Sequence, residues 1–153
     1  MNALELKQIE FDSADYHAAV ALRQAVLRTP LGLVFTAEEL AKEAPYLHCV
    51  AVLEGNVVGS LMLVYGSPVL ETPSESLEVQ LRQMAVQHEG QSLGIGSRLL
   101  GFAESLAKAN GATVLWCNAR QSAQRFYEKN GFQVVGDPFT LVELPHIKMQ
   151  KSL

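Results

Sequence analysis

Residues 83–100 read QMAVQHEGQSLGIGSRLL, and the way this stretch passes from extended chain into helix decides the fold. Met84-Ala85-Val86 closes a strand-like run, a polar turn containing glycine follows, and a helix opens behind it. Ile95, Leu99, Leu100, Ala103, Leu106 and Ala107 recur at helical spacing and form one apolar stripe. Just ahead of the stripe, Gln91-Ser92-Leu93-Gly94-Ile95-Gly96 sets two glycines and a serine where the first helical N–H groups have no internal partner. Those donors, together with the positive end of the helix dipole, favour an anion. Residues with little side chain let a phosphate come close to the backbone. A phosphate loop of the nucleotide triphosphatases would need Gly-x-x-x-x-Gly-Lys-Ser/Thr, and the lysine is missing. A dinucleotide fingerprint would need a third glycine where Leu99 stands.

Gly111 ends the helix, and the continuous apolar run 112–117 follows, as expected of a central parallel strand covered on both faces. A strand, a crossover helix and a strand make a right-handed unit with the two strands near neighbours. Next comes Asn118-Ala-Arg-Gln-Ser-Ala-Gln-Arg-Phe-Tyr-Glu-Lys-Asn-Gly-Phe. Asn118 reads as the cap of a helix with Gln121 as its reciprocal partner, and Gly131-Phe132 reads as a Schellman stop. Ala119, Ala123, Phe126 and Tyr127 fall on one helical face, where the two alanines leave a groove beside the aromatic pair. Gln-x-x-Gly-x-Gly after a strand ending Met-Ala-Val resembles the pyrophosphate motif of the GNAT superfamily of acetyl-coenzyme A-dependent N-acetyltransferases. Ala-x-x-x-Ala-x-x-Phe-Tyr-Glu-x-x-Gly-Phe resembles its second signature. The strong resemblance covers residues 77–132, and elsewhere the match is one of element order.

Leu77, Val79 and Leu81 share one face of the strand before the loop, but Met84 and Val86 are its next bulky apolar residues, so the phase slips by one. Either a β-bulge near Gln83–Met84 absorbs the slip, or the strand end is buried on both faces. The resemblance implies the bulge. It also implies a single α/β domain over residues 1–153, with a mixed, mostly antiparallel sheet whose parallel central strands splay to admit the acyl-pantetheine arm.

The rest of the chain fits such a frame. Residues 4–11 read as a first strand, and Asp12 or Ser13 caps a helix that Pro30 and Gly32 end. Thr36-Ala-Glu-Glu offers a capping box for a second helix stopped near Pro45. Runs 46–53 and 57–65 flank Glu54-Gly55-Asn56, a hairpin signal. Residues 66–76, with Pro68 and Pro73, read as a loop, and 133–153 as a strand, a loop at Gly136-Asp137-Pro138 and a last strand through Ile147 and Met149.

Composition narrows the function. With 48% hydrophobic and 18% charged residues the chain is an ordinary globular one, and its length of 153 residues suits one core. A net charge of −4 argues against nucleic acid as partner. No apolar run approaches the ~20 residues that span a bilayer, and the N-terminus lacks the order of a signal peptide. Cys49 and Cys117 sit in apolar runs without metal-ligand spacing, which reads as reduced thiols in the cytoplasm and no metal.

The resemblance implies acetyl-coenzyme A as co-substrate and a primary amine as acceptor, with homodimers common among similar proteins. By that resemblance Gln91, Ser92, Leu93, Gly94, Ile95, Gly96 and Ser97 hold the pyrophosphate mainly through their backbone. Met84, Ala85 and Val86 supply amides to the thioester oxygen, and Asn118, Ala123, Phe126 and Tyr127 line the pantetheine arm. Tyr127 is the expected proton donor to the leaving thiolate; a core tyrosine bonded to a carbonyl is the alternative. Four residues could serve as the base that removes the amine's proton: Glu78, His88, Glu143 and His146, with His146 favoured for its titration range. Arg82 could bind an anionic group of the acceptor or pair with an acid. Ser92 stands where the motif often has glycine; it keeps the N–H. Two other readings stay open: a non-catalytic module that binds coenzyme A, and a transferase of longer acyl chains.

Overall fold

The computed structural model describes residues 3–66, 77–87 and 93–153. The loop expected over 66–76 therefore lies, past Gly66, outside the described residues, and so do His88, Gln91 and Ser92. The chain divides into two compact units, Met1–Leu63 with Gln83–Ser105, and Val64–Arg82 with Leu106–Leu153.

The first unit holds β1 (Glu5–Ile9), α1 (Ala14–Arg23), α2 (Ala37–Ala41), β2 (Leu47–Leu53), most of β3 (Asn56–Tyr65), the second half of β4 (Glu78–Val86) and most of α3 (Ile95–Ala109). Its strands hydrogen-bond in the order β1-β2-β3-β4. Ser13 caps α1 by accepting from the Tyr16 amide, and Thr36 with Glu39 closes the expected capping box on α2. Past Arg23 the helix widens into a π turn, Gln24–Arg28, then tightens into a 3-10 turn, Thr29–Leu31, which Gly32 stops at φ 70°. β2 and β3 pair as far as Leu53↔Asn56, so the loop is Glu54-Gly55 alone. Their φ values of 52° and 79° identify the primed turn that matches strand twist.

Register sorts the faces of this unit. Cys49↔Leu61 and Ala51↔Gly59 point one way, His48↔Met62 and Val50↔Ser60 the other. α3 packs on the first face, where a Cβ built on Gly59 would lie 3.3 Å from Leu99 Cδ2 and 3.5 Å from Ile95 Cγ2. α1 packs on the second, with the Tyr16 ring 5.1 Å from that of His48. The apolar stripe of α3 is buried as its spacing requires: Leu99, Leu100, Ala103 and Ala107 are fully enclosed.

α1 is not held by apolar residues alone. Its buried positions are Tyr16, Ala19 and Arg23. Arg23 donates to both carboxylate oxygens of Glu43, at 2.8 and 2.6 Å, and Tyr16 Oη donates to Glu43 Oε1 at 2.8 Å. His48 Nε2–H donates to the Glu43 carbonyl at 2.9 Å. A charged pair thus occupies the interior beside α1.

The second unit holds the first half of β4, then β5 (Val114–Arg120), α4 (Gln124–Lys129), β6 (Gln133–Val134), β7 (Phe139–Leu141) and β8 (Leu144–Ser152). Strands run β4-β5-β8-β6, and β7 also pairs with β8. β4 and β5 are parallel, and β8 is antiparallel to β5, β6 and β7. With β1, β2 and β3 antiparallel as well, the sheet is mixed and mostly antiparallel, the expected class.

Two boundaries are corrected. β5 runs on to Arg120, so Asn118 and Ala119 are strand residues, and Asn118 does not cap a helix. A 3-10 turn, Gln121–Ala123, leads into α4 instead, because β8 supplies ladder partners as far as Arg120↔His146. The tail also carries a hairpin that its sequence conceals: β7 and β8 pair up to Leu141↔Leu144 across Val142-Glu143, both at positive φ, 46° and 62°. A β-branched residue at positive φ costs about 1–3 kcal/mol. Replacing the exposed pair by Val142→Asn with Glu143→Gly is expected to raise the melting temperature by roughly 2–6 °C in differential scanning calorimetry; no rise would show that the turn is unstrained.

Candidate active site

The parallel ladder between β4 and β5 consists of Glu78↔Val114, Val79↔Leu115 and Gln80↔Trp116. β4 continues to Val86 and β5 to Arg120, but no further rungs join them. Gln83, in the interior of β4, has φ 54°. That left-handed residue falls where the apolar phase slips, as a bulge requires. The enclosed apolar residues nevertheless stay on odd positions, Val79, Leu81 and Ala85, while Met84 and Val86 are half-buried. The kink thus leaves two large apolar side chains partly open.

In the first unit, Gly94 at φ 74° turns the chain into α3, and its carbonyl accepts from the Arg98 amide at 3.1 Å. The amides of the first turn beyond it have no intrahelical acceptor. A Cβ on Gly94 would meet nothing within 4 Å, so the backbone is open to approach there. Leu93 and Ser97 are exposed, while Ile95 and Gly96 are buried.

In the second unit, the ring of Tyr127 packs at 5.2 Å from Phe126 and 5.3 Å from Phe132. Gly131, at φ 91°, completes the predicted Schellman stop, with Phe132 N–H bonded to the Tyr127 carbonyl. Tyr127 is buried and its hydroxyl donates to the Cys117 thiol. Burial above all, with the nearby Cys117, raises the tyrosine's pKa, so the phenol keeps its proton at physiological pH. Burial likewise pushes Cys117 up to about 12, the tyrosine's hydrogen bond opposing this in part.

Register puts the remaining residues on the opposite face. Cys117↔Met149 and Ala119↔Ile147 lie on the Tyr127 side; Asn118↔Lys148 and Arg120↔His146 lie on the other, with Trp116 and, by the parallel ladder, Glu78. Asn118 Oδ1 is buried without a hydrogen-bond partner, an acceptor left over by the fold. His146 is 4% exposed, and its Nδ1 lies 2.9 Å from the Leu144 carbonyl. A carbonyl only accepts, so Nδ1 carries the hydrogen and Nε2 of the neutral ring keeps its lone pair. Glu78 is buried; Glu143 is exposed in the hairpin turn. Ala123 and Phe126 are half-buried at the start of α4. Among the described residues no three His, Cys, Asp or Glu side chains gather as a metal site, and no helix is long and apolar enough to cross a membrane.

The cluster around Glu43 escaped the sequence reading altogether. Nothing in a linear pattern links Arg23 to an acid twenty residues on; a buried position in an otherwise amphipathic α1 is its only trace.

Comparison with known proteins agrees with this geometry. Residues 28–153 match the family described as the acetyltransferase (GNAT) domain. The uncharacterized N-acetyltransferase YitI of Bacillus subtilis is 33% identical over 81 residues, 52% of this chain and 54% of its own length. The chain spans about half the length of the curated relatives it matches. A provisionally named N-acetyltransferase from Lactobacillus plantarum superposes with a TM-score of 0.80 at 25% identity, covering 99% of both chains. An aminoglycoside 6'-N-acetyltransferase solved with coenzyme A superposes at 0.74 with 16% identity, over 97% of this chain and 96% of its own, and shares the fold.

The thiols give a direct check. With Cys117 and Cys49 both pushed up to about 12, on the order of one thiol in 10⁴ is ionised at pH 7.5. Iodoacetamide at that pH is expected to leave the native protein unlabelled by mass spectrometry and to label both residues after unfolding. Rapid native labelling of Cys117 would reopen a covalent route.

Proposed function

The chain belongs to the GNAT acetyltransferase family, and from that premise we propose that it carries the acetyl group of acetyl-coenzyme A directly to a primary amine, residues 1–153 acting as one catalytic domain. The observation that carries the reading is the division of the second unit into two chemically distinct faces of β5, a protonated donor on one and a fixed lone pair on the other.

Acyl transfer from a thioester needs three things. An alkyl ammonium, with pKa near ~10, must lose its proton before it attacks. Charge growing on the carbonyl oxygen needs fixed donors. The thiolate that leaves, from a thiol of pKa about 8.5, benefits from an acid at hand. The amine adds to the carbonyl carbon and the thiolate leaves the tetrahedral intermediate that results, so base and acid serve two different groups on that carbon. His146, with Nε2 held as acceptor, takes the base's role, and Glu78 stands on the same face as the second acid–base group. Tyr127, protonated throughout the physiological range, is the acid.

In the first unit the opening turn of α3, from Leu93 to Ser97, takes the pyrophosphate through backbone donors and the helix dipole. Gln91 and Ser92 belong to the same motif. Main-chain donors of Met84 to Val86, beside the kink at Gln83, serve the carbonyl oxygen. Asn118 Oδ1 accepts from an amide N–H of the pantetheine arm, and Ala123 with Phe126 flanks it. A transferred acetyl-enzyme on Cys117 is opposed by that thiol's raised pKa.

Thiol release from acetyl-coenzyme A, followed over a panel of amines, tests the proposal. Tyr127→Phe and His146→Gln are each expected to lower kcat by about 10²–10⁴ while coenzyme A affinity, read by calorimetry, stays within twofold. Unaltered kcat in both variants would take the acid and base roles away from Tyr127 and His146, and coenzyme A binding with no thiol release over the whole panel would leave the chain as a coenzyme A-binding module without catalysis. No heat and no melting shift with millimolar coenzyme A would remove the reading altogether.

A further inference from the structure

The face of the second unit that carries His146 is unusually basic for this chain. The protein has a net charge of −4, yet the segments of β4, β5 and β8 in this unit put Arg82, Arg120 and Lys148 on one side of the sheet. Glu78, buried at the far end of the β4–β5 ladder, is the single acid those strand segments contribute to it. The side of each residue follows from register, and a contact confirms it: Lys148 Nζ lies 5.2 Å from the centre of the Trp116 ring. That contact crosses diagonally between β5 and β8, which only side chains on one face can do.

Their arrangement centres on His146. Arg120 pairs directly opposite it, and Lys148 follows two residues along the same strand, on the order of 7 Å away. Among the described residues no carboxylate pairs with Lys148. Its ammonium rests on the indole face of Trp116, itself only 6% exposed, and is half-buried. A cation held over an aromatic plane is partly desolvated, which strengthens its attraction for an incoming anion. Arg82 is exposed at the end of the β4 segment, and Arg120 is half-buried.

We propose that this face receives the acceptor, and that the acceptor is a compact primary amine bearing an anionic group, carboxylate or phosphonate, a few bonds from its nitrogen. The inference rests on the acetyltransferase reading. The amine lies toward His146 Nε2 and the anion toward Lys148 and Arg120, so the spacing of one strand repeat sets the reach of the substrate. A basic face draws such molecules in and disfavours diamines and amino sugars, whose second ammonium would meet like charge.

Matched acceptors test it: glycine and β-alanine against their primary amides, with 2-aminoethylphosphonate as the phosphorus arm. Each is measured by thiol release and, independently of turnover, by calorimetric binding to the coenzyme A complex. One charge-assisted contact is worth about a tenfold preference for the anionic member of each pair. Lys148→Met, which keeps the apolar stem over Trp116, is expected to abolish that preference through KM with kcat little changed. Arg82→Gln, at an exposed position that threatens no core, is expected to reduce it. A preference for the carboxylate alone or the phosphonate alone assigns the anion. Equal binding of acid and amide, or stronger binding of 1,3-diaminopropane, would overturn the proposal. If the pairs bind equally while coenzyme A still shifts the melting point, only this inference fails; if coenzyme A gives no shift, the transferase reading fails first.

Discussion

A strand that stops pairing with one neighbour keeps its place only if its other edge is held. β4 and β5 share three rungs. β5 is held by β8 over seven consecutive pairs, from Val114↔Ser152 to Arg120↔His146, the last four of them past the final rung with β4. At the other end of β4 the Gln87 amide reaches the Val58 carbonyl of β3 at 2.8 Å. These bonds hold each strand by its other edge only, since alternate N–H and C=O groups along a strand point to opposite neighbours. The positive φ at Gln83 marks where β4 changes course. The three rungs fix the register of β4 against β5, and with it the side of the sheet on which each residue of the second unit stands.

The second consequence of the same strand is chemical. β5 alternates, as any strand must, and the alternation divides it between two kinds of environment. Its odd side meets α4, where Tyr127 and Cys117 share a hydrogen bond in a dry setting that keeps both protonated. Its even side carries Trp116, Asn118 and Arg120 toward His146 and Lys148. An apolar wall suits a proton donor that must not ionise early. A polar wall suits the residues that handle an amine. One seven-residue strand keeps the two apart without a loop or an extra domain.

How much of this could be read in advance depends on whether a feature is written locally. The helix opening at Gly94, the stops at Gly111 and Gly131 and the capping box at Thr36 are local, each set by one residue's φ preference or one side chain's reach, and all were legible. The distortion near Gln83 was legible as a phase slip, although the enclosed apolar residues kept their original parity. Asn118 misled because capping chemistry is local while strand length is not: β8 extends β5 past the residue that would otherwise begin a helix. Val142-Glu143 misled in the opposite sense, since a turn normally written Asn-Gly is here imposed by the pairing of β7 with β8. At the candidate site, Tyr127 and His146 could be nominated from the sequence, but their placement on opposite sides of the sheet needed the register.

The Arg23–Glu43 pair shows the same limit in energetic form. Both residues are nearly inaccessible, and taking two charges from water costs several kcal/mol apiece even after relaxation. Attraction between them, two short hydrogen bonds and the donation from Tyr16 to the carboxylate offset that cost. Burial lowers the pKa of His48, which keeps the imidazole neutral beside the guanidinium. Arg23 Nε is left without a partner, so the network is not fully satisfied. An apolar cluster of similar volume could hold α1 on β2 with no such defect. What an apolar cluster could not do is choose one arrangement: a bidentate guanidinium–carboxylate pair fits in a single orientation, fixing residue 43 against α1 just before the helix widens at Gln24. Glu43 thereby locks the far end of the segment containing Arg28, whose guanidinium lies 4.1 Å over the Phe35 ring. Positional specificity, rather than added stability, is the physical account that fits a charge pair in the interior of this unit.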